Sequence, residues 1–149
     1  MSTQYASRAP LFTAWAVANL PDALSIDTTQ VIDGPPTEAN MGSTCVILGD
    51  VEHDEDWAAI GARNRNEQAT IKCCIYIRGE GKTQTEVVEA AYALHGLIDL
   101  YLRDQISAIA TVAPGLWEVS TRRTSMAKSQ SDNARMAYLA FDIRIQSRI

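Results

Sequence analysis

One stretch, Glu67 to Arg78, constrains the fold of this chain more than any other. Ala69, Ile71, Cys73, Ile75 and Ile77 fall at every second position, with Thr70, Lys72, Cys74, Tyr76 and Arg78 between them. A period of two over this length marks a strand whose sheet has one dry face. Gly79-Glu80-Gly81 breaks the strand, because glycine accepts backbone angles that other residues avoid. Thr83-Gln84-Thr85-Glu86 then opens a helix with a capping box, in which the Thr83 hydroxyl takes an orphan N–H and Glu86 reaches back to the Thr83 amide. Val87, Val88, Ala91, Leu94, Ile98, Tyr101 and Leu102 recur at spacings of three and four up to Arg103. That stripe is wide enough to cover the dry face of a sheet.

The flanking elements fit around this pair. Ala9 to Leu20 reads as a first helix, with Pro10 in its first turn and Leu11, Trp15 and Ala18 on one face, ended by Pro21-Asp22. Thr28 to Ile32 is a short β-branched strand, and Asp33-Gly34-Pro35-Pro36 is a rigid turn. Thr44 to Gly49 reads as a buried strand. Asp50 to Asn66 reads as a long connection, acidic first and basic later, and long connections are usually functional. Its Trp57 and Ile60 are too apolar for a free loop and are expected against the body or a neighbouring subunit.

Asp104 to Pro114 reads as a connector, and Leu116 to Arg123 as a strand with Trp117, Val119 and Thr121 on one side. Residues 126–133 form a polar hairpin tip, and Arg135 to Gln146 a last strand that pins the C-terminal end into the sheet. The expected fold is one α+β domain over residues 1–149. It has two layers: a mixed, mostly antiparallel sheet with both helices packed on one face. The two long strands sit centrally, and the helix between them forms a right-handed crossover.

Composition narrows the function classes. Apolar residues make up 46% and charged residues 21%, the balance of a globular chain. A net charge of −5 argues against a dedicated nucleic-acid binder. Cys73 and Cys74 are strand neighbours on opposite faces and are not expected to pair within one subunit. With Cys45 they read as reduced thiols in a cytosolic setting. No signal peptide and no membrane span is expected.

Catalytic constellations are nearly absent, so the chain reads as a non-enzyme with no cofactor, catalytic residue or metal ligand. The run His53-Asp54-Glu55-Asp56 has ligand-type side chains, but consecutive acceptors are more often a solvated acidic loop. His95 has no nucleophile placed with it and reads as a helix-edge or interface histidine. Gly79-Glu80-Gly81-Lys82-Thr83 lacks the spacing of a phosphate loop. The alternative to a structural role is a small ligand- or metal-binding domain or enzyme using the His53 run or His95. The informative surface is the sheet face away from the helices, with Lys72, Cys74, Tyr76 and Arg78 on one strand and Tyr138, Ala140, Asp142 and Arg144 on another. Aromatic rings and arginines among small residues suit an interface.

From Leu11 to the last strand the chain resembles the tail terminators, the tail-completion or head–tail joining proteins of long-tailed bacteriophages. The resemblance rests on the N-terminal helix, Asp33-Gly34-Pro35-Pro36, the strand Cys45 to Gly49, Trp57-Ala58-Ala59-Ile60-Gly61-Ala62-Arg63, and the order of the remaining elements. It implies a homohexameric ring in the neck of the virion, assembled in the host cytoplasm. Such a ring caps the tail tube, stops its polymerisation and meets the head connector or stopper protein, while DNA passes without specific binding. The long connection and the 126–133 tip become arms between subunits. Trp57 and Ile60 are then interface anchors, and Arg63 and Arg65 meet a neighbour's acidic residues. Tyr76, Arg78, Tyr138 and Arg144 complete the expected interface. Another connector component, an adaptor or stopper, is the close alternative.

Overall fold

In the computed structural model, which describes residues 7–24, 29–35, 43–57 and 65–148, the alternating stretch lies at the centre of a five-stranded sheet. The elements are α1 (Ala9–Ala23), β1 (Thr29–Asp33), β2 (Thr44–Trp57), β3 (Arg65–Glu80), α2 (Gln84–Asp104), α3 (Ile106–Val112), β4 (Leu116–Gln130) and β5 (Ala134–Arg148). The strand order is β1-β2-β3-β5-β4. β1 runs parallel to β2, and every other pairing is antiparallel. The fold is α+β with a mixed sheet, as the alternation and the helical stripe require. The β4–β5 hairpin inserts β5 beside β3, so α2 and α3 carry the chain across β5 to the sheet edge.

The alternation sorts residues between the faces. Ala69, Ile71, Cys73, Ile75 and Ile77 of β3 are buried with Ala137, Leu139, Phe141, Ile143 and Ile145 of β5. Val87, Ala91, Leu94, Ile98 and Leu102 of α2 close over them in the same cluster, joined by Phe12, Ala16 and Leu20 of α1 and Ile109 of α3. Fully burying an aliphatic or phenyl side chain contributes about 1.5–3 kcal/mol, so this layer is the main source of stability. The capping box forms: Glu86 N–H donates to Thr83 Oγ1 at 3.2 Å and Thr83 N–H to Glu86 Oε1 at 3.3 Å.

Several local expectations are corrected. The inward face of α1 is Phe12, Ala16 and Leu20; Leu11 is 42% exposed, and Trp15 packs from the flank on Tyr101 at 5.9 Å between ring centroids. Pro21 lies inside α1, which runs on to Ala23. The Asp50–Asn66 connection is largely strand: β2 continues to Trp57, paired with Arg65 of β3, past a bulge between Leu48 and Val51. The bulge restarts the alternation, which hides a long strand behind an irregular pattern. Residues 126–130 belong to β4, and only 131–133 turn the hairpin. Asp104 to Pro114 holds the helix α3. Trp117 is 55% exposed, because a register shift between Leu116 and Glu118 takes it off the side of Val119.

One glycine is required by geometry. Gly115 has φ +90°, and a Cβ there would overlap the Arg148 carbonyl oxygen. Arg148 N–H donates to the Gly115 carbonyl at 2.9 Å, which fastens the end of β5 to the turn before β4.

Candidate functional site

The sheet face away from the helices falls into two parts. Tyr76 and Tyr138 are direct cross-strand partners, with ring centroids 5.1 Å apart and planes tilted by 43°. Cys45 and Ile47 of β2 register with Tyr76 and Cys74, and Ala140 of β5 registers with Cys74 from the other side. Together they form an apolar and aromatic strip with no described helix over it. Tyr76 is only 8% exposed although it faces away from the helices. Burial raises its phenol pKa, with Tyr138 adding to the rise and Arg78 opposing it. Burial also raises the Cys45 and Cys74 thiols.

The second part is charged. Asp142 is 7% exposed, with Lys72 Nζ at 3.4 Å and Arg122 Nη2 at 3.6 Å from its Oδ2. Lys72 also lies 3.8 Å from Glu52. Arg144 is exposed on the same face, in register with Thr70 and Ser120. Arg78 pairs with Glu80 at 3.6 Å at the other end of β3. The structure therefore places Tyr76, Arg78, Tyr138 and Arg144 on one face and brings the two tyrosines into contact. Trp57 and Arg65 are backbone partners near the end of the β2–β3 hairpin. Ile60 and Arg63 lie outside the described residues.

Strand edges add to this surface. β1 pairs only with Thr44 to Leu48, so no described strand lies against the outer edge of β2 from Val51 to Trp57. The side chains there include Glu52, Asp54 and Glu55. At the opposite side of the sheet, β4 is the other edge and carries Arg122, Arg123 and Lys128. One edge is acidic and the other basic.

His95 corrects an expectation. It is 7% exposed inside the fold, edge-on to Phe141 at 5.1 Å, and its Nε2 is buried without a hydrogen-bond partner. Burial lowers its pKa, Arg123 lowers it further, and Asp99 opposes both. Cys73 sits in the core, where burial pushes its thiol up to about 12, with the Asp142 carboxylate contributing. A thiol so protonated is a packing residue and a poor nucleophile.

The run His53-Asp54-Glu55-Asp56 is divided by strand alternation. His53 and Glu55 register with Ala69 and Glu67, whereas Asp54 registers with Gln68 on the other face. Glu67 is 1% exposed and accepts a hydrogen bond from the Arg8 amide at 2.9 Å. Donor atoms of His53, Glu55 and Glu67 lie within 4.8 Å of one another. The burial of Glu67 and of Asp142 was not visible to sequence reasoning, although Asp142 was placed on the outer sheet face. Their only signal is a charged residue within a strand, which burial alone makes meaningful.

No protein-family model matches the chain, and no curated protein matches it. Among solved structures it is similar to a chain of the "Virion of native gene transfer agent (GTA) particle", at 16% identity and a TM-score of 0.43. The match covers 96% of this chain and 99% of that one. A TM-score this low does not establish a shared fold.

Proposed function

We propose that this chain is a structural virion protein of the tail-terminator type, one that assembles with copies of itself into a ring, of six subunits by the resemblance. The observation that carries the reading is a pair of edges with no described strand against them, flanking an aromatic face with no described helix over it. The acidic outer edge of β2 and the basic edge of β4 stand on opposite sides of one sheet. Such complementarity favours head-to-tail contact between subunits, and a heterologous contact whose rotation closes gives a ring. Long free strand edges are templates for pairing with another chain unless something covers them. The Tyr76–Tyr138 strip then serves as the apolar centre of a contact, with Arg78 and Arg144 at its margins. Trp57, Ile60, Arg63 and Arg65 extend the same contact through the β2–β3 hairpin.

In this reading the ring caps the tail tube, ends its polymerisation and meets the head connector or stopper protein. DNA passes through a channel without specific binding, consistent with the acidic balance of the chain. The protein carries out no catalysis and works in the tail or neck of the virion. Electron microscopy of the purified protein, alone and mixed with tail-tube ends, tests this. Rings, free or seated on tube ends, are expected. A lone subunit that never joins a tube end contradicts the proposal.

A further inference from the structure

We propose that His53, Glu55 and Glu67 bind a divalent first-row transition ion of the zinc type where β2, β3 and the start of α1 meet. The inference is independent of ring assembly. Three observations carry it. First, Glu67 is fully enclosed, yet its Oε2 has no hydrogen-bond partner, while Oε1 is taken by the Arg8 amide. A buried carboxylate oxygen left in that condition is unfavourable, and binding a cation is the direct remedy. Second, Oε2 lies 3.5 Å from His53 Nδ1. That is long for a hydrogen bond, but two donors bound at about 2.0–2.1 Å to one tetrahedral ion stand roughly 3.4 Å apart. Third, Ser147 registers opposite Glu67 on β5 and its Oγ is also buried without a partner. Glu67, Ser147 and Glu55 line the same cleft of about 250 Å³.

Glu55 and Glu67 are direct cross-strand partners, which brings their carboxylates to one side of the β2–β3 pair. One imidazole nitrogen with two carboxylate oxygens selects a zinc-type ion over magnesium or calcium, which take oxygen donors. His53 is 43% exposed, so a coordination position faces solvent. The bound ion clamps β2 to β3, and Glu67 Oε1 keeps its hydrogen bond from the Arg8 amide before α1.

Titration of the full chain with Co²⁺, followed by its visible d–d spectrum and competed with Zn²⁺, tests the site. One ion per chain is expected, without the thiolate charge-transfer bands that binding at cysteine gives, and with a higher melting temperature than in chelator. His53→Gln and Glu55→Gln change exposed side chains and are expected to keep the wild-type circular dichroism. Each is expected to weaken metal binding about tenfold or more, the least that losing a ligand costs when even its supporting partner costs that much. No uptake at millimolar metal overturns the proposal. So does unchanged affinity in either variant, a spectrum dominated by thiolate bands, or Mg²⁺ competing as well as Zn²⁺.

Discussion

On the helix-covered face of the sheet, Ile71, Ile75, Phe141, Ile143 and Ile145 are fully enclosed by α1, α2 and α3. On the other face, Tyr76 and Tyr138 pack on each other beside Cys74 and Ala140 with no described helix over them, and Asp142 is held between Lys72 and Arg122. Cys73 and Cys74 are neighbours in sequence and belong to different faces. The first face is completed by the chain's own helices, and its function is to hold the fold. The second is partly apolar, partly charged and bounded by edges with no described strand against them, a composition that suits the contact proposed above.

The largest test of that contrast is Phe141→Ala. The ring is fully buried against His95, and its removal is expected to cost about 3–5 kcal/mol in a denaturant melt. Tyr138→Ala, on the face with no described helix over it, removes a tilted ring pair worth about 0.5–1.5 kcal/mol beyond the area it buries, and is expected to cost the isolated subunit less than Phe141→Ala does. Comparable losses at both positions would break the distinction between a face that holds the fold and one kept for contact.

Acid sharpens the comparison from the covered side. Burial first, and then Arg123, hold His95 below its usual 6.5. Burial pushes Asp99 up, but hydrogen bonds from Thr121 and Arg103 outweigh it and leave the carboxyl below its usual 3.8. In both cases the unfolded chain binds the proton more readily, so stability rises with pH across each window. It is complete above about pH 6.5, is lost as pH falls through the folded value of His95, and is lost again below about 3.8 as Asp99 protonates. Replacing His95 with Leu is expected to flatten the first loss in melts followed by circular dichroism. An unchanged slope would show that His95 does not set it.

The smallest effect is chemical. Cys74 is half-buried on the uncovered face and Cys73 lies in the core. A small neutral maleimide is expected to modify Cys74 first, with peptide mapping as the readout, and assembly is expected to slow that reaction. Modification of Cys73 ahead of Cys74 in the folded chain would reverse the assignment of faces.

Much of the fold was legible because its strongest elements obey simple periods. The β3 alternation, the Thr83–Glu86 capping box and the β5 alternation survive intact in the structure. What stayed hidden was broken by irregularity. The bulge after Leu48 made the second half of β2 read as a loop, and the shift near Leu116 turned Trp117 outward. The α3 helix is a short run without a side-chain cap, and so without a start signal. The Tyr76–Tyr138 contact followed from register once the two strands were adjacent. The His53, Glu55 and Glu67 cluster did not, because its third member comes from a neighbouring strand and local spacing carries no trace of it.

Light scattering on size-exclusion fractions of the wild-type chain and of Tyr138→Arg, with and without tail-tube protein, addresses the central claim most directly. The wild type is expected to elute as a closed oligomer, or to become one on tube ends. The variant is expected to remain a folded single subunit, with a melting temperature lower by only about 2–6 °C. A wild type that stays a single subunit under every condition, or a variant that assembles as well as the wild type, would contradict the account.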